Sequence, residues 1–255
     1  MLARRRLRHR AGRESPLVRL RAQGTPRAPQ RATRRPTLIT IAGVVDTAAF
    51  DATLGPTDTV EGRAFTDPGQ TWSDAEVMRT MLVRERALAR AWVHDRSAGA
   101  SVIEHDEEGR RHWLAVPDTA ALVGARDVTA VGFFGQRREE VDHSILFELE
   151  REVVDSFAAY ARLGLLSYYD MELEHGRYGN LILFWTPDVP KQWYTNAAHE
   201  RAIAIAPRHY RSVRLHKSSI RGPLLGGADL TIERTKYLDF DGERIWRGLR
   251  LFVGT

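Results

Sequence analysis

Two runs decide the architecture of this chain: 165–185, LLSYYDMELEHGRYGNLILFW, and 192–217, QWYTNAAHERAIAIAPRHYRSVRLHK. The first holds two β-rich segments around the polar turn Glu174-His175-Gly176-Arg177, which predicts a hairpin pairing 165–173 with 178–185. The second predicts a helix over 190–206, with Pro190 in its first turn and Pro207 closing it, and then a strand over 209–217. Upstream, 128–134 has strand character. Over 144–162, Ile145, Leu149, Val153, Phe157 and Tyr160 recur at helical spacing, Glu148, Glu150, Glu152 and Asp155 stand on or beside the opposite side, and Gly164 ends the helix. The order over 128–217 is therefore strand, helix, strand, strand, helix, strand, a split βαβ module whose open sheet face must be covered by another layer.

Working outward, 38–45 (LITIAGVV) reads as a buried strand, and 46–71 as loop because of Gly55-Pro56 and Asp67-Pro68-Gly69. A helix is expected from Ser73, with Glu76 completing a capping box. Its apolar face runs through Val77, Met78, Met81, Leu82, Leu88, Trp92 and Val93, and Glu85 and Arg86 fall off that face. Segments 100–104 and 111–116 read as strands joined by an acidic turn, and 119–124 as a short helix. This first half echoes the element order of the second without a residue-level repeat. Beyond the link GPLLGG (222–227), 230–240 and 243–252 should form a hairpin across Asp241-Gly242, a type I′ signal, that extends the sheet or covers an edge.

The totals narrow the function. Of 255 residues 43% are hydrophobic and 28% charged, which suits an ordinary globular core. There is no cysteine, so thiolate nucleophiles and thiolate metal sites are excluded, and no metal site is read from the histidines. Residues 1–37 carry twelve arginines against one acid, Glu14, a net of +11; the whole chain carries +5, so the remainder carries −6. The basicity belongs to a tail expected to be disordered, and the acidic remainder gives no reason to expect specific nucleic-acid binding. No apolar h-region follows RRRLRHR, and no apolar run approaches a membrane span, so a cytoplasmic protein without membrane contact is expected. For the tail itself an organellar transit segment and a non-structural extension both stay open, with the second favoured. Four regions result: the tail 1–37, a degenerate half over 38–127, a well-formed half over 128–217, and a linker and hairpin over 218–255.

The element order, the helix-borne QWYTNAAHERA and the strand RHYRSVRLH resemble the dimeric α+β barrel superfamily, which includes antibiotic-biosynthesis-type monooxygenases, lactone isomerases and haem-degrading enzymes. The resemblance covers 128–217 by pattern and 38–127 by element order. It implies an α+β fold with two ferredoxin-like halves, associated internally or as a homodimer, and a ligand held between a sheet and its helices. It also implies a small-molecule enzyme, monooxygenase-like or isomerase-like, acting on an aromatic or polyketide-like substrate, or a non-catalytic binder of haem or another planar apolar ligand. The cofactor is left open between none and haem.

The candidate residues follow from facing. His199 shares the helix face of Ala202 and Ile203 that should meet the sheet, where an imidazole serves as proton acceptor or ligand; a histidine packed on a backbone carbonyl is the competing reading. Along 209–217, Tyr210, Ser212, Arg214 and His216 alternate against Arg211, Val213, Leu215 and Lys217, so Tyr210, Arg214 and His216 are expected to face one interior, with Arg214 as anion anchor. A polar dimer interface is the competing reading. Tyr168, Asn180 and Trp193 supply aromatic walls and a polar handle. Asp170 or Glu172, on the strand face of Tyr168, becomes a base if buried.

Overall fold

The computed structural model describes residues 49–93, 100–107, 110–188 and 197–252, without the side chains of 101, 102 and 104–107. The expected strand over 38–45, the tail 1–37 and Trp193 lie outside the described residues. The fold is α+β. Among the described residues nine strands form one mixed sheet: β1 (Ala52–Leu54), β2 (Ser101–Glu107), β3 (Arg110–Val116), β4 (Arg126–Arg137), β5 (Leu165–Glu172), β6 (Arg177–Phe184), β7 (Tyr210–Pro223), β8 (Leu230–Asp239) and β9 (Trp246–Leu251). Their order is β1-β9-β8-β7-β4-β6-β5-β3-β2, antiparallel except for β1 beside β9.

The middle of the sheet, β7-β4-β6-β5, places the four strands of the 128–217 module in the order fourth, first, third, second, which is compatible with a ferredoxin-like arrangement. The first half does not build a second sheet from these strands. Instead β2 and β3 continue the same sheet past β5, and β1 sits at the far edge. The C-terminal hairpin extends the sheet through β8, yet its turn is not the tight type I′ turn expected: six residues, 240–245, separate β8 from β9, and Asp239 accepts from Asp241 N (3.0 Å).

Both faces are covered. One lies under α1 (Pro68–Trp92) and the short α2 (Thr119–Gly124), packed on Leu114, Val128, Ala130, Phe134, Tyr169, Leu181 and Leu183. The other lies under α3 (Ser144–Asp155), α4 (Phe157–Ala161) and α5 (Ala197–His209), packed on Trp113, Ala115, Tyr168, Ile182 and Phe184. With water excluded from both sides, the central strands read as nearly continuous apolar runs, the pattern of Leu181–Phe184. Among the described residues no helix is long and apolar enough to cross a membrane.

Three helix boundaries differ from expectation, each for a local reason. Helix α1 starts five residues before Ser73: Asp67 caps it by accepting from Gly69 N (2.6 Å), and Pro68 occupies the first turn, where its missing N–H is harmless. The helix expected over 144–162 breaks at Ser156, whose hydroxyl donates to Val153 O (2.5 Å) in competition with the helical bond. Pro207 lies inside the last turn of α5 rather than beyond it.

The buried stripe of α1 is Thr71, Asp74, Ala75, Met78, Met81, Leu82, Glu85, Arg86 and Ala89. Glu85 and Arg86, expected off the apolar face, are therefore inside. Arg86 is bonded to the carbonyls of Leu224 and Ala228, both at 2.6 Å, which ties α1 to the loop between β7 and β8. The buried Glu85 carboxyl has only the Ser167 hydroxyl and the Arg86 charge to oppose its desolvation. Burial outweighs both and pushes it up to about 7. Asp74 is answered fully. Its Oδ2 accepts from Arg214 Nε (2.5 Å) and from His216 Nε2 (3.0 Å), and its Oδ1 accepts from Arg214 Nη2 (3.0 Å).

Two outcomes are expected. Asp74→Ala leaves a buried guanidinium without its carboxylate and should lower the urea-unfolding free energy by about 3–5 kcal/mol; a loss under ~1 kcal/mol would mean the pair is not clamping α1. For Glu85, the folded group ionises near 7 and the unfolded one near 4.5, so its contribution is intact below about pH 4.5 and disappears as pH rises to about 7. Glu85→Gln should therefore gain roughly 3 kcal/mol on the wild type between pH 5 and pH 8 in paired urea titrations.

Candidate functional site

Each face of the sheet carries one buried polar cluster, and only one has the features of a site. Under α1, Thr235 Oγ1 lies 2.8 Å from His216 Nδ1, and His216 Nε2 lies 3.0 Å from Asp74. The series hydroxyl, imidazole, carboxylate is that of a nucleophilic triad. Yet Thr235, His216 and Asp74 are all fully buried, and Arg214 already holds the carboxylate in a bidentate pair. Burial alone would raise Asp74; the His216 and Arg214 hydrogen bonds outweigh it and hold the carboxyl below its ordinary value. Burial also lowers His216, which stays neutral, donating from Nε2 to Asp74 and accepting from Thr235 at Nδ1. A hydroxyl with no path to solvent attacks nothing. Beside it, with Tyr237 directly across from Arg214, Thr71 and Tyr237 (3.0 Å) lead to Arg250 (2.7 Å), which bonds the carbonyls of Gly55, Asp58 and Thr66 and fastens the 55–66 loop. This face is structural.

The opposite face is assembled from β3, β5, β6, β4 and β7 under α3 and α5. Register brings its parts together: Asp170 stands directly across from Asn180 on β6 and from Trp113 on β3, and Glu172 stands across from Tyr178. Diagonal pairs complete it. Asn180 Nδ2 donates to the Tyr168 hydroxyl (3.1 Å), and the Tyr178 hydroxyl meets Asp170 Oδ2. From α3, Glu150 Oε1 comes within 2.7 Å of the Tyr178 hydroxyl and 3.2 Å of Trp113 Nε1, which is itself 2.7 Å from Asp170 Oδ2.

Two carboxyls therefore share one phenol and one indole. Tyr178 has a single hydroxyl proton and cannot satisfy both acids, so a proton held by the pair is the arrangement that balances. Burial first, then the Glu150 charge beside it, holds the Asp170 carboxyl well above the usual range. The Glu150 side chain keeps 10% of its surface exposed, so the pair is not sealed. Tyr168 and Tyr178 are raised by burial and by the nearby acids, and burial pushes Tyr210 up to about 12. Aromatic rings form the wall, with Trp113 and Phe157 at 5.3 and 5.7 Å from Tyr168.

The sequence-predicted residues divide between the faces. Tyr168 and Asn180 meet as expected. Tyr210 joins them, and Arg214 and His216 do not, although simple alternation puts all three on one face. A register shift where β7 pairs β4, between Gln136/Ser212 and Arg137/Tyr210, inserts Arg211 and turns Tyr210 to the far side. There its ring packs edge-on to Phe133 (5.4 Å) and fills the space above Gly135, where a Cβ would meet Tyr210 Cδ1 at 2.5 Å. Arg214 is thus committed to Asp74 and is no anion anchor for this face. His199 lies on α5, and burial lowers its imidazole to about 4, which keeps it neutral.

Three members were not singled out. Glu150 was set on the solvent side of its helix, though it falls three residues from both Phe147 and Val153 on an otherwise apolar stripe, which is the signal that could have found it. Trp113 and Tyr178 reach the site only through strand pairing. Arg137, its guanidinium 4.3 Å over the Tyr178 ring and 3.6 Å from Glu172, closes one end.

If the pair holds a proton, wild type at neutral pH should show an infrared carbonyl stretch of a protonated carboxyl that Asp170→Asn removes. An unchanged difference spectrum would assign that proton elsewhere.

Comparison with protein-family models, with curated proteins and with solved structures gave no match.

Proposed function

We propose that this chain is a small-molecule enzyme that works by proton transfer on the face between the β3–β5–β6–β4–β7 part of the sheet and the α3–α5 layer. The supporting observation is the Asp170–Glu150 pair: two carboxyls around one phenol, in a desolvated aromatic setting, with Asp170 biased to the protonated form. A carboxyl held toward the protonated form beside a more accessible one is an arrangement general acid–base chemistry uses near neutral pH. In this reading Glu150, the more accessible acid, takes a proton from the substrate, and Asp170 holds or returns one through Tyr178.

The chemistry fits an aromatic or polyketide-like substrate. Removing a proton from an activated C–H or from a phenol yields an electron-rich enolate or phenolate. Returning that proton at another carbon is an isomerisation, and exposing the same anion to an electrophilic oxidant is oxidative tailoring; both share the first step. A non-catalytic binder of a planar apolar ligand, haem included, would use the same Trp113–Tyr168–Phe157 wall. The polar atoms beside that wall count against it, because an apolar ligand would leave Asp170 Oδ1 and Asn180 Oδ1 buried and unanswered.

The test is deuterium exchange. The full chain in D2O should accelerate deuteration beside the carbonyl of 2-tetralone, an aromatic ketone, followed by NMR, and Glu150→Gln should reduce that acceleration by roughly 10²–10⁴-fold. Equal rates for wild type and variant would remove the proposed base.

A further inference from the structure

Two atoms at the centre of this face are left over. Asp170 Oδ1 and Asn180 Oδ1 are buried and have no hydrogen-bond partner among the described residues. They belong to residues directly opposite each other on β5 and β6. Their companion atoms are all in use: Asp170 Oδ2 takes Trp113 Nε1 and the Tyr178 hydroxyl, and Asn180 Nδ2 donates to Tyr168. Buried acceptors left unmet are costly and rare, and two side by side in a wall of aromatic rings mark the place where something else completes the bonding.

The chemistry of that something is constrained from three directions. The proton the acid pair holds belongs to the contact of Asp170 Oδ2 and Glu150 Oε1 with the Tyr178 hydroxyl, so Asp170 Oδ1 stays an acceptor whichever acid carries it. The missing partner must donate to Oδ1, and it must also donate to Asn180 Oδ1. An ether or a ketone oxygen accepts only and fails at both. Two hydroxyls on one ring donate to both. The surrounding rings of Trp113, Tyr168 and Phe157 favour a flat apolar body attached to it.

From these constraints we infer that the ligand of this face is a hydroxylated aromatic ring whose hydroxyls bond Asp170 Oδ1 and Asn180 Oδ1. This rests on the reading that the face is a small-molecule site, and it goes further by naming the substrate class and by making Asn180 the residue that selects it. The hydroxyl bonded to Asp170 is also the one the acid pair can deprotonate.

Calorimetric titration of the full chain tests the inference with two probes of the same ring: catechol, and its dimethyl ether 1,2-dimethoxybenzene, which keeps the shape and loses both donors. Catechol should bind at least about tenfold more tightly, and Asn180→Leu should abolish the preference. Should that variant fail to fold by near-ultraviolet circular dichroism, Asn180→Ser replaces it, and the wild-type comparison of the two probes stands alone. Equal binding of the ether, an Asn180 variant with undiminished preference, or no binding of either probe overturns the inference; in the last case the two oxygens are answered by water. Deuterium exchange separates the two claims. Catalysed exchange without catechol selectivity sinks the substrate class and leaves proton transfer standing, while Asn180-dependent catechol binding without catalysed exchange does the reverse.

Discussion

The burial of both faces of one sheet governs everything else in this molecule. Once α1 covers one side and α3–α5 the other, no side chain of the central strands has a solvated alternative, so each polar one must find a partner inside. Around Asp74 that demand is met: Asp74 answers Arg214 and His216, Thr235 answers His216, and Arg250 is shared among Tyr237 and three backbone carbonyls. Glu85, further along α1, instead meets burial by leaning toward the protonated form. In the cluster on the other face the demand is met incompletely, with Asp170 Oδ1 and Asn180 Oδ1 left over side by side. The Asp74 and Asp170 clusters therefore differ in satisfaction, since both are charged and both are buried. A saturated network holds a helix in place, whereas one with open valences has capacity for a ligand.

The same contrast explains why similar chemistry does not mean similar role. Thr235, His216 and Asp74 have the connectivity of a nucleophilic triad and none of the access. Asp170 and Glu150 have no familiar sequence signature, yet they meet around one phenol at a position that solvent reaches through Glu150. Access and open hydrogen-bonding capacity separate them, and neither is visible in residue identity alone.

Much of the fold was legible. Pairing of 165–173 with 178–185, a helix leading into the strand that ends the 128–217 module, and the short helix over 119–124 all follow from periodicity and turn residues, and the described residues have them, the helix over Ala197–His209; the first turn expected at Pro190 lies outside the described residues. Glu85 and Arg86 were misplaced because a helix stripe is inferred from its apolar members, and a buried carboxylate is indistinguishable from an exposed one until the covering layer is known. Tyr210 was separated from Arg214 by a single inserted residue, Arg211, which leaves no mark on the alternation pattern. Tyr168 and Asn180 were read as one site because strand alternation and the hairpin turn are local; Glu150 and Trp113 come from elements that only the sheet order brings near.

By itself the sequence determined the α+β class, the order of elements over 128–217 and the acidic character of everything beyond the arginine-rich tail. These depend on spacings of 2 and about 3.6 residues and on turn chemistry, which act within a few positions of the chain. Only the tertiary structure decided that the first-half strands join the same sheet, that Arg214 and His216 are scaffold, and that Asp170 and Glu150 meet. Those outcomes depend on strand register and on which face each helix covers, and both are settled between residues far apart in sequence, where burial and hydrogen-bond satisfaction choose among arrangements that local pattern leaves equal.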